Sequence, residues 1–219
     1  MAGAYFDVDG TLTPLTTMFE LLLFDADSTG RLPDGQVFLG RLRQLRAAGA
    51  PRETTNREYF RWWAGRDVAE VHELGRKWFQ GALREHGENV IFHAMSRDLH
   101  NHRTQQHRVV LVSGSFAPAL SSLATYIGAD DVLTTSAIVH QGRYTGEISE
   151  PMIGEGKATA VAAHAARHRL DLRNSYGYGD DVSDIPFMEL TGNRVIVNSS
   201  DPRMTLLSSS PGWSRRSAS

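Results

Sequence analysis

The chain reads as an α/β protein, a doubly wound parallel sheet interrupted by one long helical insert. Three observations predict this. The apolar runs Ala4–Val8, Val109–Val112 and Arg194–Val197, with Ser175–Tyr178 as a shorter fourth, are uniformly hydrophobic rather than alternating. That pattern belongs to strands buried on both faces. Each run is followed by small or polar residues and then, in most cases, by a helical pattern, the alternation that builds a doubly wound sheet. Residues 14–89 hold no comparable run and are rich in Leu, Arg, Glu and aromatics.

The elements follow in order. Ala4–Val8 is the first strand, and Gly10 lets the chain turn behind it. Within the insert, Asp67 and Glu70 sit close to a capping-box spacing, with Val71, Leu74 and Trp78 on one face of the helix they open. Leu120, Leu123, Ala124 and Ile127 give Phe116–Ile127 a helical period, with Pro118 tolerated in its first turn. Ser136–His140 and Arg143–Ile148 flank Gln141-Gly142 as a β-hairpin. Lys157–Leu170 is Ala-rich and helical. Residues 1–13 and 90–219 are therefore expected to form the core and 14–89 a mostly helical insert. From Ser208-Ser209-Ser210-Pro211-Gly212 onward, about 208–219, the composition is that of a frayed tail.

The 219 residues carry 41% hydrophobic and 22% charged side chains, an ordinary globular balance. A formal net charge of −2 gives no electrostatic case for nucleic acid or an anionic membrane as partner. The absence of cysteine excludes disulfides, thiolate metal sites and a Cys nucleophile. No basic region followed by a long apolar stretch precedes the first strand, and Met18–Phe24 is too short to span a bilayer. A soluble, cytoplasmic protein is the expectation.

Four motifs carry chemistry. In Asp7-Val8-Asp9-Gly10-Thr11-Leu12-Thr13, two carboxylates leave a buried strand two residues apart and point the same way. Such crowding is costly unless a cation or a shared proton relieves it. In Val109-Val110-Leu111-Val112-Ser113-Gly114-Ser115, a strand ends at a helix start, where free N–H groups and a hydroxyl suit a phosphate, although a plain N-cap has the same look. Lys157 opens a helix after Gly154-Glu155-Gly156. This is not a P-loop, because Pro151 stands at the first Gly position and Ala158 at the Ser/Thr position. Finally, Gly179-Asp180-Asp181-Val182-Ser183-Asp184 clusters carboxylates after a strand, the oxygen ligands that hard divalent cations take. All four fall at strand ends or helix starts, where such sheets collect their ligands.

On these residues the sequence resembles a haloacid dehalogenase (HAD) superfamily hydrolase, subfamily IB, the phosphoserine-phosphatase-like branch. The similarity covers Phe6–Thr13, Val109–Phe116, Gly142–Lys157 and Tyr176–Met188, and Asn198–Arg203 resembles that branch's last core strand and turn. It implies a Rossmann-like core with a C1-type cap, and a Mg²⁺-dependent phosphatase acting on a small phosphorylated metabolite through an aspartyl phosphate. By that analogy Asp7 is the nucleophile and Asp9 the acid and base. Asp7, the Asp9 backbone carbonyl and Asp180 hold the metal, with Asp184 nearby orienting water. Ser113, Gly114 and Lys157 hold the phosphoryl oxygens, and Thr11 orders the loop around Asp9. A phosphotransferase and a noncatalytic phosphometabolite-binding module are the competing readings.

Two departures stand out. Pro14 to Phe19 lacks the acidic residue that phosphoserine phosphatases carry early in the cap, which puts phosphoserine in doubt as substrate. Gln106 stands where relatives often have Gly. For the organic part of the substrate, the candidates are Glu20, Arg57 and Arg61, with Trp62, Trp63 and Arg66 beside them; packing of the cap by Trp62, Trp63 and Trp78 is the alternative. His100, His102 and His107, and the i, i+4 pair His164 and His168, read as exposed helix faces rather than metal ligands.

Overall fold

The computed structural model describes residues 1–217. In chain order the elements are β1 (Gly3–Phe6), α1 (Thr17–Ser28), α2 (Leu32–Ala47), α3 (Arg52–Phe60), α4 (Val68–His86), α5 (His93–Thr104), β2 (Arg108–Ser113), α6 (Ala117–Ile127), β3 (Asp131–Thr134), β4 (Ala137–His140), β5 (Arg143–Ile148), α7 (Glu155–His168), β6 (Tyr176–Gly179), α8 (Ile185–Glu189), β7 (Asn193–Val197), α9 (Pro202–Leu207) and β8 (Trp213–Arg216). Six strands form one sheet in the order β3-β2-β1-β6-β7-β8, every pair parallel. β4 and β5 make the separate antiparallel hairpin about Gln141-Gly142.

Strand order reverses between β1 and β6, so a crevice opens beyond their carboxyl ends. This is where β1 releases Asp7 and β6 releases Asp180. β1 earns its central place by burying both faces: Ala4 and Phe6 enter one apolar cluster and Tyr5 the other, all without solvent exposure. The first cluster continues without a break from Phe6 and Leu111 through Leu120 and Leu123 to Leu21, Leu39, Tyr59, Phe60, Trp63 and Trp78. The helices between β1 and β2 therefore share the core of the sheet. Asp67 caps α4, its Oδ1 accepting from the N–H groups of Ala69 (2.9 Å) and Glu70 (3.2 Å).

Three sequence expectations change. The tail expected to fray over 208–219 forms β8 at 213–216, pairing in parallel with β7; Arg216 Nε reaches Asp98 Oδ2 at 3.3 Å and Arg215 donates to the Ser199 carbonyl. A Ser-, Pro- and Gly-rich composition describes the turn before the strand, not the strand. β3 also went unnoticed, because Asp131–Thr134 is short and only half-buried. Of the histidines, His102 and His164 are buried rather than exposed. His102 Nε2 meets the Tyr178 hydroxyl at 2.8 Å and its Nδ1 meets His107 Nδ1 at 2.9 Å. His164 Nδ1 meets the Tyr5 hydroxyl and its Nε2 meets Asp131 Oδ2, each at 3.1 Å. Asp131, His164 and His168 lie within reach of one another, but Arg108 already holds the Asp131 carboxylate.

The α4–α6 crossing is the tightest seam between insert and sheet. A Cβ placed on Gly75 would fall 1.9 Å from the Pro118 carbonyl oxygen. In an open helix Gly→Ala stabilises by about 1 kcal/mol. Here the sign reverses, and Gly75→Ala is expected to cost about 1–3 kcal/mol in urea unfolding through overpacking. A second prediction concerns acid. Burial, and then the neighbouring His107, push the His102 imidazole down to about 4. The folded state thus favours the neutral ring relative to the unfolded chain, so this stability is whole above about pH 6.5 and is lost as pH falls towards 4. His102→Gln should flatten that part of the stability–pH curve, measured by denaturant midpoints.

Candidate active site

β1 ends at Phe6, and Asp7 follows at once, its N–H bonded to the Tyr178 carbonyl (2.9 Å) on β6. The chain then coils tightly: the N–H groups of Leu12 and Thr13 both reach the Val8 carbonyl, and Gly10 N–H reaches the Thr13 carbonyl. Gly10 sits at φ +85°, and a Cβ there would lie 2.6 Å from Asp180 Oδ2. Only glycine allows both the turn and that approach. Thr11 Oγ1 donates to Asp180 Oδ1 at 2.9 Å, tying the acidic loop after β1 to the one after β6.

Lys157, in the first turn of α7, is buried at 4% exposure. Its Nζ donates to Asp7 Oδ1 at 2.5 Å and to Asp184 Oδ1 at 2.7 Å. Burial works against the ammonium, but the Asp184 and Asp7 carboxylates outweigh it and hold the lysine above its ordinary range. Asp184 Oδ2 in turn accepts from the N–H groups of Asp180 (3.3 Å) and Asp181 (3.2 Å). Burial, then the charge of Asp7, raise the Asp184 carboxyl; burial, then Asp7 and Asp184, raise that of Asp180. Burial and the Asp7 charge push Asp9 up to about 7, and its Oδ1 is buried without a hydrogen-bond partner.

At the end of β2, Ser113 Oγ accepts from Ser115 N–H at 3.1 Å, just before α6 begins. The Gly114 carbonyl is held from outside, by Asn56 Nδ2 (2.8 Å) and Thr135 Oγ1 (2.9 Å), so its peptide plane is clamped. Asp7, Asp9, Ser113, Gly114, Lys157, Asp180 and Asp184 all line a single cavity of about 370 Å³. The carboxylates of Asp7, Asp180 and Asp184 each offer an oxygen within 4.8 Å of the others. This donor set, all hard oxygens crowded into a few ångströms, fits a hard divalent cation such as Mg²⁺.

The cap residues named from sequence lie elsewhere. Glu20 accepts from the Thr16 N–H at 2.9 Å and braces the start of α1. Arg57 donates to the Ser149 carbonyl at 3.1 Å, and Arg61 pairs with Glu58 at 3.2 Å. None of the three lines the cavity. Trp62 and Arg66 are both bonded to the buried Asp25, and Trp63 is in the core. The walls instead come from Met18 and Phe19, from Leu42, Arg43 and Arg46 on α2, and from Arg52, Asn56 and Tyr59 on α3. Arg52 pairs with Asp181 at 2.6 Å. The signal for these was present: 52, 56 and 59 share one face of α3, and 43 and 46 share one of α2. Which polar residues reach the cavity was not legible, since arginines flank the apolar side of α2 and α3 is polar on most sides.

The structure is thus an α/β protein, a doubly wound parallel sheet with a lysine-bridged carboxylate cluster at its switch point. A model of the haloacid dehalogenase-like hydrolases matches residues 4–189, and the chain belongs to that family. It is 32% identical over 135 residues to a probable phosphatase of Mycobacterium tuberculosis, covering 62% of this chain and 46% of that protein. A phosphoserine phosphatase of the same organism is 29% identical over 153 residues, 69% of this chain and 48% of that one. The chain thus spans about half the length of these curated relatives. A Bordetella pertussis protein of unknown function shares the fold at TM-score 0.86 and 21% identity, covering 100% of this chain and 99% of its own. A substrate-bound phosphoserine phosphatase does so at TM-score 0.67 and 16% identity, covering 94% and 89%.

The lysine bridge has a measurable consequence. Lys157→Met would leave two buried carboxylates without their cation and is expected to cost about 3–5 kcal/mol of stability near neutral pH. Protonation relieves uncompensated carboxylates, so the loss should shrink as pH is lowered towards about 5. Chemical unfolding of both proteins in chelator, at two pH values, checks this.

Proposed function

We propose that the protein is a Mg²⁺-dependent phosphatase that hydrolyses a small phosphomonoester through an aspartyl phosphate on Asp7. The observation that carries this reading is the convergence of Asp7, Lys157, Ser113 and Gly114 on one cavity, with Asp9 and the Asp180–Asp184 loop beside them. The phosphatase names of relatives matched over part of the chain support the same class.

The chemistry divides among the chain's own residues. An Asp7 oxygen attacks phosphorus, and the bond from phosphorus to the ester oxygen breaks. Asp9, whose carboxyl is held up to about 7, keeps a proton to give to the departing oxygen. As a carboxylate it then takes a proton from water, which attacks the phosphoryl group and frees Asp7 and inorganic phosphate. Lys157, the Ser113 hydroxyl and the Gly114 N–H hold the phosphoryl oxygens, where charge spreads in transfer. Asp7, the Asp9 backbone carbonyl and Asp180 would hold Mg²⁺, with Asp184 adjacent. When bound, the ion supplies positive charge against the phosphoryl oxygens and the crowded carboxylates.

Among the described residues, no helix is long and apolar enough to cross a membrane. With a net charge of −2 and no cysteine, we assign the activity to small metabolites in the cytoplasm rather than to nucleic acid or a lipid surface.

With p-nitrophenyl phosphate and Mg²⁺, phosphate release is expected, and chelation should abolish it. Asp7→Asn should lower turnover by at least about a hundredfold, since losing a covalent nucleophile costs orders of magnitude, while leaving the unfolding midpoint close to that of the parent. Residual activity of the variant above about 1% would remove Asp7 from the nucleophile role.

A further inference from the structure

The walls of the cavity differ sharply in charge. Every carboxylate lining it belongs to the loops that end β1 and β6: Asp7, Asp9, Asp180, Asp181 and Asp184. The insert contributes three guanidinium groups and no carboxylate. Of the three, Arg52 is already neutralised by Asp181 at 2.6 Å. Arg46 donates only to the carbonyl of Ala50, at 2.9 Å, and Arg43 has no hydrogen-bond or ion-pair partner among the described residues. Arg43 and Arg46 are one helical turn apart on the same side of α2, and Leu42 beside them is buried against the same cavity. Both arginines are exposed and line the cavity, and two adjacent guanidinium groups with no carboxylate partner among the described residues are free to meet an anion there.

Resting on the phosphatase reading, we propose that the substrate is a phosphomonoester bearing a second anionic group, a carboxylate or a phosphate, at the end remote from the scissile phosphate, received by Arg43 and Arg46. The body of the substrate is apolar or uncharged, because Met18, Phe19 and Leu42 are apolar residues that the insert adds to the wall. A cavity of about 370 Å³ holds considerably more than a phosphoryl group. The inference also excludes a class. A phosphorylated amine brings an ammonium to this wall and finds no carboxylate on the insert side to meet it. Zwitterionic amino-acid phosphates therefore gain less here than an ester whose only remote charge is negative.

The test is a series of equal length that varies the remote charge alone: hexyl phosphate, 6-phosphonooxyhexanoate and 6-aminohexyl phosphate. The carboxylate member should exceed the amine in kcat/KM by about tenfold or more, the scale of charge-assisted hydrogen bonds from one or two arginines. In Arg43→Gln/Arg46→Gln that ratio should fall towards one. In Arg43→Glu/Arg46→Glu it should invert, which a merely damaged protein would not do. Affinities of the same three esters for the Asp7→Asn variant, by calorimetry, should rank in the same order whether or not any is turned over. Turnover of p-nitrophenyl phosphate with no charge ranking in either measurement overturns this inference and spares the phosphatase. A ranking in binding without turnover of any ester overturns the phosphatase and spares the anion site. A preference for the amine, or a ranking untouched by the α2 substitutions, removes Arg43 and Arg46 from recognition.

Discussion

The contact on which the site depends is the buried ammonium of Lys157 between Asp7 and Asp184. Three loops that are far apart in sequence end within a few ångströms of one another, two of them carrying negative charge. Without a cation between them, the carboxylates would repel each other in a region that water cannot screen. The lysine therefore does two things. It holds the loops after β1 and β6 together, and it neutralises charge in a cluster whose Asp7 and Asp180 also line the cavity. Burial first, and then the repulsion that remains among these carboxylates, raises the proton affinities of Asp9, Asp180 and Asp184. That residual repulsion is the physical basis for expecting a divalent ion.

The insert is fused to the sheet at two different depths. Low in the structure, α4 lies against α6 so closely that Gly75 admits no Cβ, and one apolar cluster runs from β1 into the insert. Higher up, α3 reaches the cavity through polar contacts: Asn56 to the Gly114 carbonyl and Arg52 to Asp181. The apolar seam fixes position, since dispersion and burial act over a wide area. The polar contacts set what the cavity presents, because each is directional. The same chain segment thus packs against the sheet's helices and lines the cavity.

Much of this was legible in the residues. Uniformly apolar runs identified four of the six strands of the main sheet, and the acidic, Ser-Gly and Lys motifs lay at their ends or at helix starts. Parallel strands buried on both faces demand such runs, and reactive groups at their carboxyl ends follow from the direction of the chain. The terminal strand β8 was hidden by a Ser-, Pro- and Gly-rich turn and by its own charged residues, Arg215 and Arg216, which an edge strand tolerates. The histidines misled for a related reason. An imidazole among arginines looks solvated, yet Tyr178 and Tyr5 give His102 and His164 hydrogen-bond partners inside the fold.

Sequence alone located four of the six strands, the helical character of residues 14–89 and the acidic, Ser-Gly and Lys side chains that line one cavity, because those depend on local period and on loops that start at strand ends. The tertiary structure alone decided which insert residues face that site. In α2 the apolar stripe of Phe38, Leu42 and Leu45 marks the face towards the core but not which of the flanking arginines reach the cavity, and α3 is polar on most sides. Their rotation is set by the packing of Leu39, Leu42, Tyr59 and Phe60, and it places Asn56, Arg52 and the exposed Arg43 and Arg46 along the cavity while Arg57 and Arg61 lie outside it.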